Sequence, residues 1–217
     1  MNGIIDEKLF RPLSGFLINQ TPDLNRLEES ILELGVPERR VRRSRLQRYA
    51  QLHNYRAFVL EFYIKSLLGQ YSEIDESFVP FPHQFMKFEN GFELFTNKWG
   101  NITFYSEEFT KIEGELDALW EFHISELITP IIFEITYGQN AHESERFSRI
   151  SKKIELVSML YEDPCLCKVR FKKGDEEPGL YERMNGIYRE IIIPKQDLDS
   201  LARNLWNKAP QYEKVNY

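Results

Sequence analysis

Between Pro37 and Gly69 the chain contains neither glycine nor proline. Proline suits the start of a helix and glycine its end, so the spacing predicts one long helix from 38 to about Leu68. Its second half, Ala57 to Leu68, is apolar on nearly every face: Phe58, Val59, Leu60, Phe62, Tyr63, Ile64, Leu67 and Leu68. A helix that is apolar all round is buried. Whatever else the chain forms must therefore wrap this segment.

The first half of the same run is unlike the rest. Seven arginines, Arg39, Arg40, Arg42, Arg43, Arg45, Arg48 and Arg56, face only Glu38, a local charge of +6 in a chain of net charge −6. Each helical residue advances by about 100°. On that wheel Arg45 and Arg48 fall within about 40° of the line through Val41, Leu52 and Val59. Those two arginines are expected to meet internal carboxylates, because a buried unpaired charge is very costly. Arg39, Arg40, Arg42 and Arg43 spread over other faces and are the candidate partner surface. They also oppose the helix dipole, at about 0.3–1 kcal/mol each when exposed, so something negative should compensate.

The flanking elements follow from capping and periodicity. Asp23 precedes Leu24, Leu27, Ile31 and Leu34, and Gly35 follows, which predicts a helix over 23–34. Residues 70–84 read as a connector. Phe85–Glu89, Phe92–Thr96 and Ile102–Tyr105 are predicted strands, with Asn90-Gly91 and Trp99-Gly100 as turns. Phe109, Ile112, Leu116, Leu119 and Trp120 recur at helical spacing. Ile131–Tyr137 reads as a buried strand. Phe147, Ile150, Ile154, Val157 and Leu160 form a helical stripe. Cys165–Phe171 and Ile187–Ile193 are predicted strands around a charged loop, and Asp197 to Trp206 a closing helix. Helices first, then strands and helices mixed, argue an α+β fold: an N-terminal helical segment whose long helix packs on a mixed, mostly antiparallel sheet. The expected division is a helical segment over 1–70 and an α+β body over 71–217, together one compact unit.

The motifs narrow the chemistry without choosing it. His142-Glu143-Ser144 and Pro164-Cys165-Leu166-Cys167 approach the zinc-deaminase pattern H-x-E with P-C-x-x-C. Ser144 and Lys168 stand where that pattern needs Glu and Cys, so no zinc site is expected. His53, His83, His123 and His142 are scattered, with His123 a lone candidate base. No phosphate-binding glycine loop and no nucleophile elbow occur. A nuclease would need clustered carboxylates for Mg²⁺, and Glu134 with Asp163 is the one pairing the sequence offers. Trp99 sits in a turn, where an exposed indole would be an interface anchor.

No segment approaches the length of a membrane span. The two cysteines suit a reducing compartment, so the expected location is the cytoplasm. The acidic balance argues against general coating of nucleic acid. The sequence thus points to a cofactor-free, non-catalytic protein of regulatory or inhibitory type that binds a protein partner. Arg39, Arg40, Arg42, Arg43 and Trp99 are its candidate contacts. Nucleic-acid binding through the arginine segment, and a metal-dependent enzyme with a dispersed site, are the alternatives. Oligomeric state is not legible.

Overall fold

The computed structural model describes residues 2–37, 39–40, 45–89, 91–106, 110–137 and 143–212, with 2–3, 39–40, 45–51, 143–147 and 211–212 described in backbone only. The fold is α+β, with mostly antiparallel strands and one mixed sheet.

The chain opens with α1 (Asn2–Ile5), a wide helical turn at Asp6–Phe10 and α2 (Arg11–Asn19). Ile5, Leu9, Leu13 and Leu17, spaced four apart, are all buried. Next comes α3 (Leu24–Leu34). Asp23 caps it, its Oδ1 accepting from the backbone N–H of Asn25 and Arg26 at 3.1 Å. Gly35 stops it at φ +89°, a conformation that suits glycine.

The long helix is displaced from its predicted place. Helix α4 runs Arg45–Ile74. Arg39–Arg40 instead form a short strand, β1, pairing in parallel with β12 (Gln211–Tyr212). Gly69 lies inside the helix and does not end it. A helical glycine costs about 1 kcal/mol relative to alanine, less than the burial of Leu67, Leu68 and Tyr71 around it returns.

Six strands form the main sheet in the order β10-β11-β9-β8-β7-β2. They are β2 (Phe78–Pro80), β7 (Ala118–Ile124), β8 (Leu127–Thr136), β9 (Cys165–Phe171), β10 (Gly179–Arg183) and β11 (Tyr188–Ile193). β9 runs parallel to both β8 and β11, and the other pairings are antiparallel. The crossover from β8 to β9 is helix α5 (Glu143–Val157). Helix α6 (Asp199–Lys208) closes the chain's described helices.

A second sheet of four antiparallel strands has the order β3-β4-β5-β6: β3 (Phe85–Lys87), β4 (Glu93–Thr96), β5 (Ile102–Ser106) and β6 (Lys111–Leu116). The predicted helix through Ile112, Leu116, Leu119 and Trp120 is therefore two strands. Their apolar spacing fits either period, and cross-strand pairing with β5 and β8 decides it.

Strand alternation sends the main sheet's side chains two ways. Phe133, Ile135, Cys167, Val169 and Ile191 join α2, α4 and α6 in the larger core. Leu119, Ile132, Leu166 and Tyr188 join α5 and the small sheet in a second core. Gly114 on β6 lets α5 come close, since a Cβ there would sit 2.4 Å from Leu156 Cδ1. No described helix is long and apolar enough to cross a membrane.

Candidate functional site

On the α5 side of the main sheet, charged residues replace apolar ones toward the end of β8. Glu134 lies in register with Lys168 on β9, which lies in register with Glu190 on β11. In the other direction, β7 pairs with β8 so that Ala118 faces Phe133. One step further along that ladder, Asp117 falls opposite Glu134. The Asp117 carboxyl, in the bend just before β7, thus comes close enough to Glu134 for the two to interact, and α5 brings Lys153 to both. Lys153 Nζ donates to Glu134 Oε2, while Asp117 Oδ2 accepts the Ile135 N–H at 2.6 Å.

This arrangement is electrostatically strained. Burial pushes the Asp117 carboxyl up to about 7, and the Glu134 charge adds to the rise. Lys153 and the Ile135 N–H act in the opposite sense without cancelling it. Burial lowers Lys153, but Asp117 and Glu134 outweigh it and hold the ammonium above its ordinary value. Glu61 of α4 also raises Asp117. Its own Oε1 accepts from Lys65 at 2.7 Å and from Asn101 at 2.5 Å.

A cavity of about 320 Å³ opens beside the cluster. Its walls include Glu134 and Lys153, with Arg149, Lys168, His53 and Tyr137. His53 meets Tyr137 edge-on at 5.9 Å. Tyr137 donates to Asp199 Oδ1 at 3.1 Å, and Asp199 also pairs with Arg56 at 2.9 Å. Thr136 Oγ1 is buried and has no hydrogen-bond partner among the described residues. The site lies at the carboxyl end of β8, where open sheets carrying crossover helices most often place ligands.

Among the described residues, no three His, Cys, Asp or Glu side chains are placed to hold a metal ion. Mg²⁺ commonly takes only one or two carboxylates, with water and phosphate oxygens completing its shell. Asp117 and Glu134 could supply that much, with Lys153 beside them.

The residues singled out from sequence are distributed differently. Arg39 and Arg40 hold a backbone ladder with Gln211 and Tyr212. Arg42 and Arg43 lie outside the described residues, as do the side chains of Arg45 and Arg48. Trp99 is folded back: its Nε1–H donates to Gly35 O at 3.1 Å and its ring meets Phe58 edge-on at 6.0 Å. Glu134 does not pair with Asp163, which precedes β9 at the opposite end of the sheet. Asp117 takes its place. Burial pushes the Cys165 thiol up to about 11 and Cys167 well above its ordinary value, so neither is a ready thiolate. His142 lies outside the described residues. His123 Nε2 sits 2.9 Å from Glu121 Oε2. Comparison with known proteins adds no assignment: no family model, curated protein or solved structure matches this chain.

Proposed function

We propose that the protein is a divalent-cation-dependent enzyme acting on phosphodiester bonds of nucleic acid. The observation that carries this reading is a cavity walled by Glu134 and Lys153, with the buried Asp117 carboxyl interacting with both. Two facing carboxylates repel, and a dication between them would turn that repulsion into binding. The cation would polarise a phosphoryl oxygen and lower the pKa of a bound water, with Lys153 placed to stabilise charge as it develops. Arg149 and Lys168 give the cavity a cationic bias suited to phosphate.

The arginine segment supports a polymeric substrate. Helix α4 carries His53 and Asn54 into the cavity wall, and Arg48 and Arg45 lie one to two turns before them on the same helix. A phosphate backbone could be held there, with binding that weakens steeply as salt rises. The free, reduced cysteines fit a cytoplasmic enzyme.

The test is incubation of the purified chain with end-labelled single-stranded DNA, duplex DNA and RNA at low salt. Cleavage is expected with Mg²⁺ or Mn²⁺ and none with EDTA. Intact substrate under every ion removes the reading.

A second reading, a regulatory or inhibitory protein that binds a protein partner, is favoured by the outer face of the small sheet. Phe85 and Phe95 are register partners there and remain 51% and 44% exposed. Contiguous exposed apolar surface is a feature of contact sites. Affinity purification from the native host should recover a protein that the Phe85→Ser/Phe95→Ser variant loses. Identical recovery by both forms sinks this reading.

A further inference from the structure

At the amino end of β8 and β9, roughly 23 Å along β8 from Glu134 at ~3.3 Å per residue, lies a second and larger cleft of about 520 Å³. Its floor is apolar, with Phe10, Ile154 and Leu166. Its lip carries Leu127, Ile128 and Ile187, which are 57%, 47% and 44% exposed. Isolated exposed aliphatics are ordinary, whereas several around one concavity are an interaction signature.

The charge lining this cleft is net acidic, with Asp6, Glu162 and Asp163 against Arg189. Among its lining residues the single cation is Arg189, and it is committed: its Nε and Nη2 donate to Asp6 at 2.7 and 2.8 Å. Glu162 and Asp163 line the same cleft, are exposed, and form no ion pair among the described residues. Their carboxylates line the same cleft as its apolar surface. A nucleic acid would be repelled by them. A purely apolar ligand would leave them unused.

We infer that this cleft docks a cationic amphipathic segment of a partner protein, one or two large aliphatic side chains entering the floor while flanking lysines or arginines meet Glu162 and Asp163. Such a segment buries its apolar face in a groove and takes orientation from the rim charges. The inference rests on neither reading above, since it uses a different end of the sheet from Asp117 and a different surface from Phe85.

The test uses a fluorescein-labelled helical peptide with leucines on one face and lysines on the other, and a counterpart with glutamates for lysines. Fluorescence anisotropy should show binding of the lysine peptide to the full chain. Glu162→Lys/Asp163→Asn should weaken that binding by about tenfold, or ~1.4 kcal/mol, and improve binding of the glutamate peptide. Asparagine is chosen at position 163 because the backbone there has φ +47°, which asparagine tolerates. Leu127→Ser/Ile187→Ser, both at exposed positions, should weaken both peptides. Equal binding of the two peptides, indifference to these substitutions, or no binding overturns the inference. Light scattering that finds a dimer dissolved by the charge-altering variant also overturns it, because the occupant is then a second copy.

Discussion

If the protein is the proposed nuclease, Asp117→Asn is expected to lower metal-dependent cleavage by about 10²–10⁴-fold, the range for losing a group that acts in the transition state; in either case it should make the folded protein more stable at alkaline pH. Burial and the Glu134 charge push the Asp117 carboxyl from its ordinary value up to about 7 in the fold. A raised carboxyl holds its proton better folded than unfolded. Its stabilising contribution is therefore intact below the unfolded value and is lost as pH rises through about 7. Above that, the folded state carries a desolvated charge facing Glu134, a penalty on the order of 2–4 kcal/mol by the conversion of pKa shift to free energy. Asparagine cannot ionise, can still accept the Ile135 N–H, and can donate to Glu134. Denaturant midpoints should coincide for the two forms near pH 4 and diverge in favour of the variant at pH 8. A variant less stable than the wild type at pH 8 would mean that Asp117 serves the fold, and the site assignment would fall with it. Glu134→Gln supplies the companion measurement: it removes the facing charge, so the remaining pH dependence of stability should shift toward acid.

The sequence made some of this visible and concealed the rest for identifiable reasons. Helix α3 was legible because its signals are local: Asp23 caps it, Leu27 and Ile31 face inward, and Gly35 ends it. Helix α4 was legible in kind and displaced in extent, because Gly69 acts as a stop only where tertiary packing does not bury the turns beyond it. The fourfold recurrence of Ile5, Leu9, Leu13 and Leu17 was an available signal for the opening helices. The site was hidden by one misread period. Taken as helical, the stretch from Ile112 to Trp120 sets Asp117 on a helix face remote from Glu134. Taken as strands, the Ser125–Glu126 turn pairs Ala118 with Phe133 and brings Asp117 opposite Glu134. A hairpin register converts two distant carboxylates into neighbours, and only the β reading generates it. Lys153 could not have been placed in advance, since its approach depends on Gly114 admitting α5 against β6.

Glu190→Ala should be the most damaging single change outside the apolar cores. Glu190 is 4% exposed on β11. Its Oε1 accepts from Arg170 Nε at 2.9 Å, its Oε2 from Arg183 Nε at 2.7 Å, and Lys168 Nζ lies 3.7 Å away. Burial alone would raise its pKa, but Arg170 and Arg183 outweigh burial and hold it below the ordinary carboxylate range. The sign is thus opposite to that of Asp117: the contribution of Glu190 is present above its unfolded value and is lost as pH falls through its folded one. Together the two groups predict stability that rises with pH up to the ordinary carboxylate range and falls from there to about pH 7. Removing Glu190 takes a carboxylate from the buried Lys168 and Arg170, and breaking a buried pair from one side costs about 3–5 kcal/mol. Arg170 retains its bidentate contact with Glu176 at 2.6 and 2.8 Å, which favours the lower end of that range. Chemical denaturation at neutral pH measures the loss directly. Adding Arg170→Leu to Glu190→Leu should recover part of it, because the Arg170–Glu190 pair is then replaced by apolar volume. A double variant no better than Glu190→Leu alone would locate the cost in Lys168, whose register partner on β8 is Glu134. In that case, if the proposed nuclease activity is present, it should fall in step with stability, since Lys168 links Glu190 to Glu134 across β9.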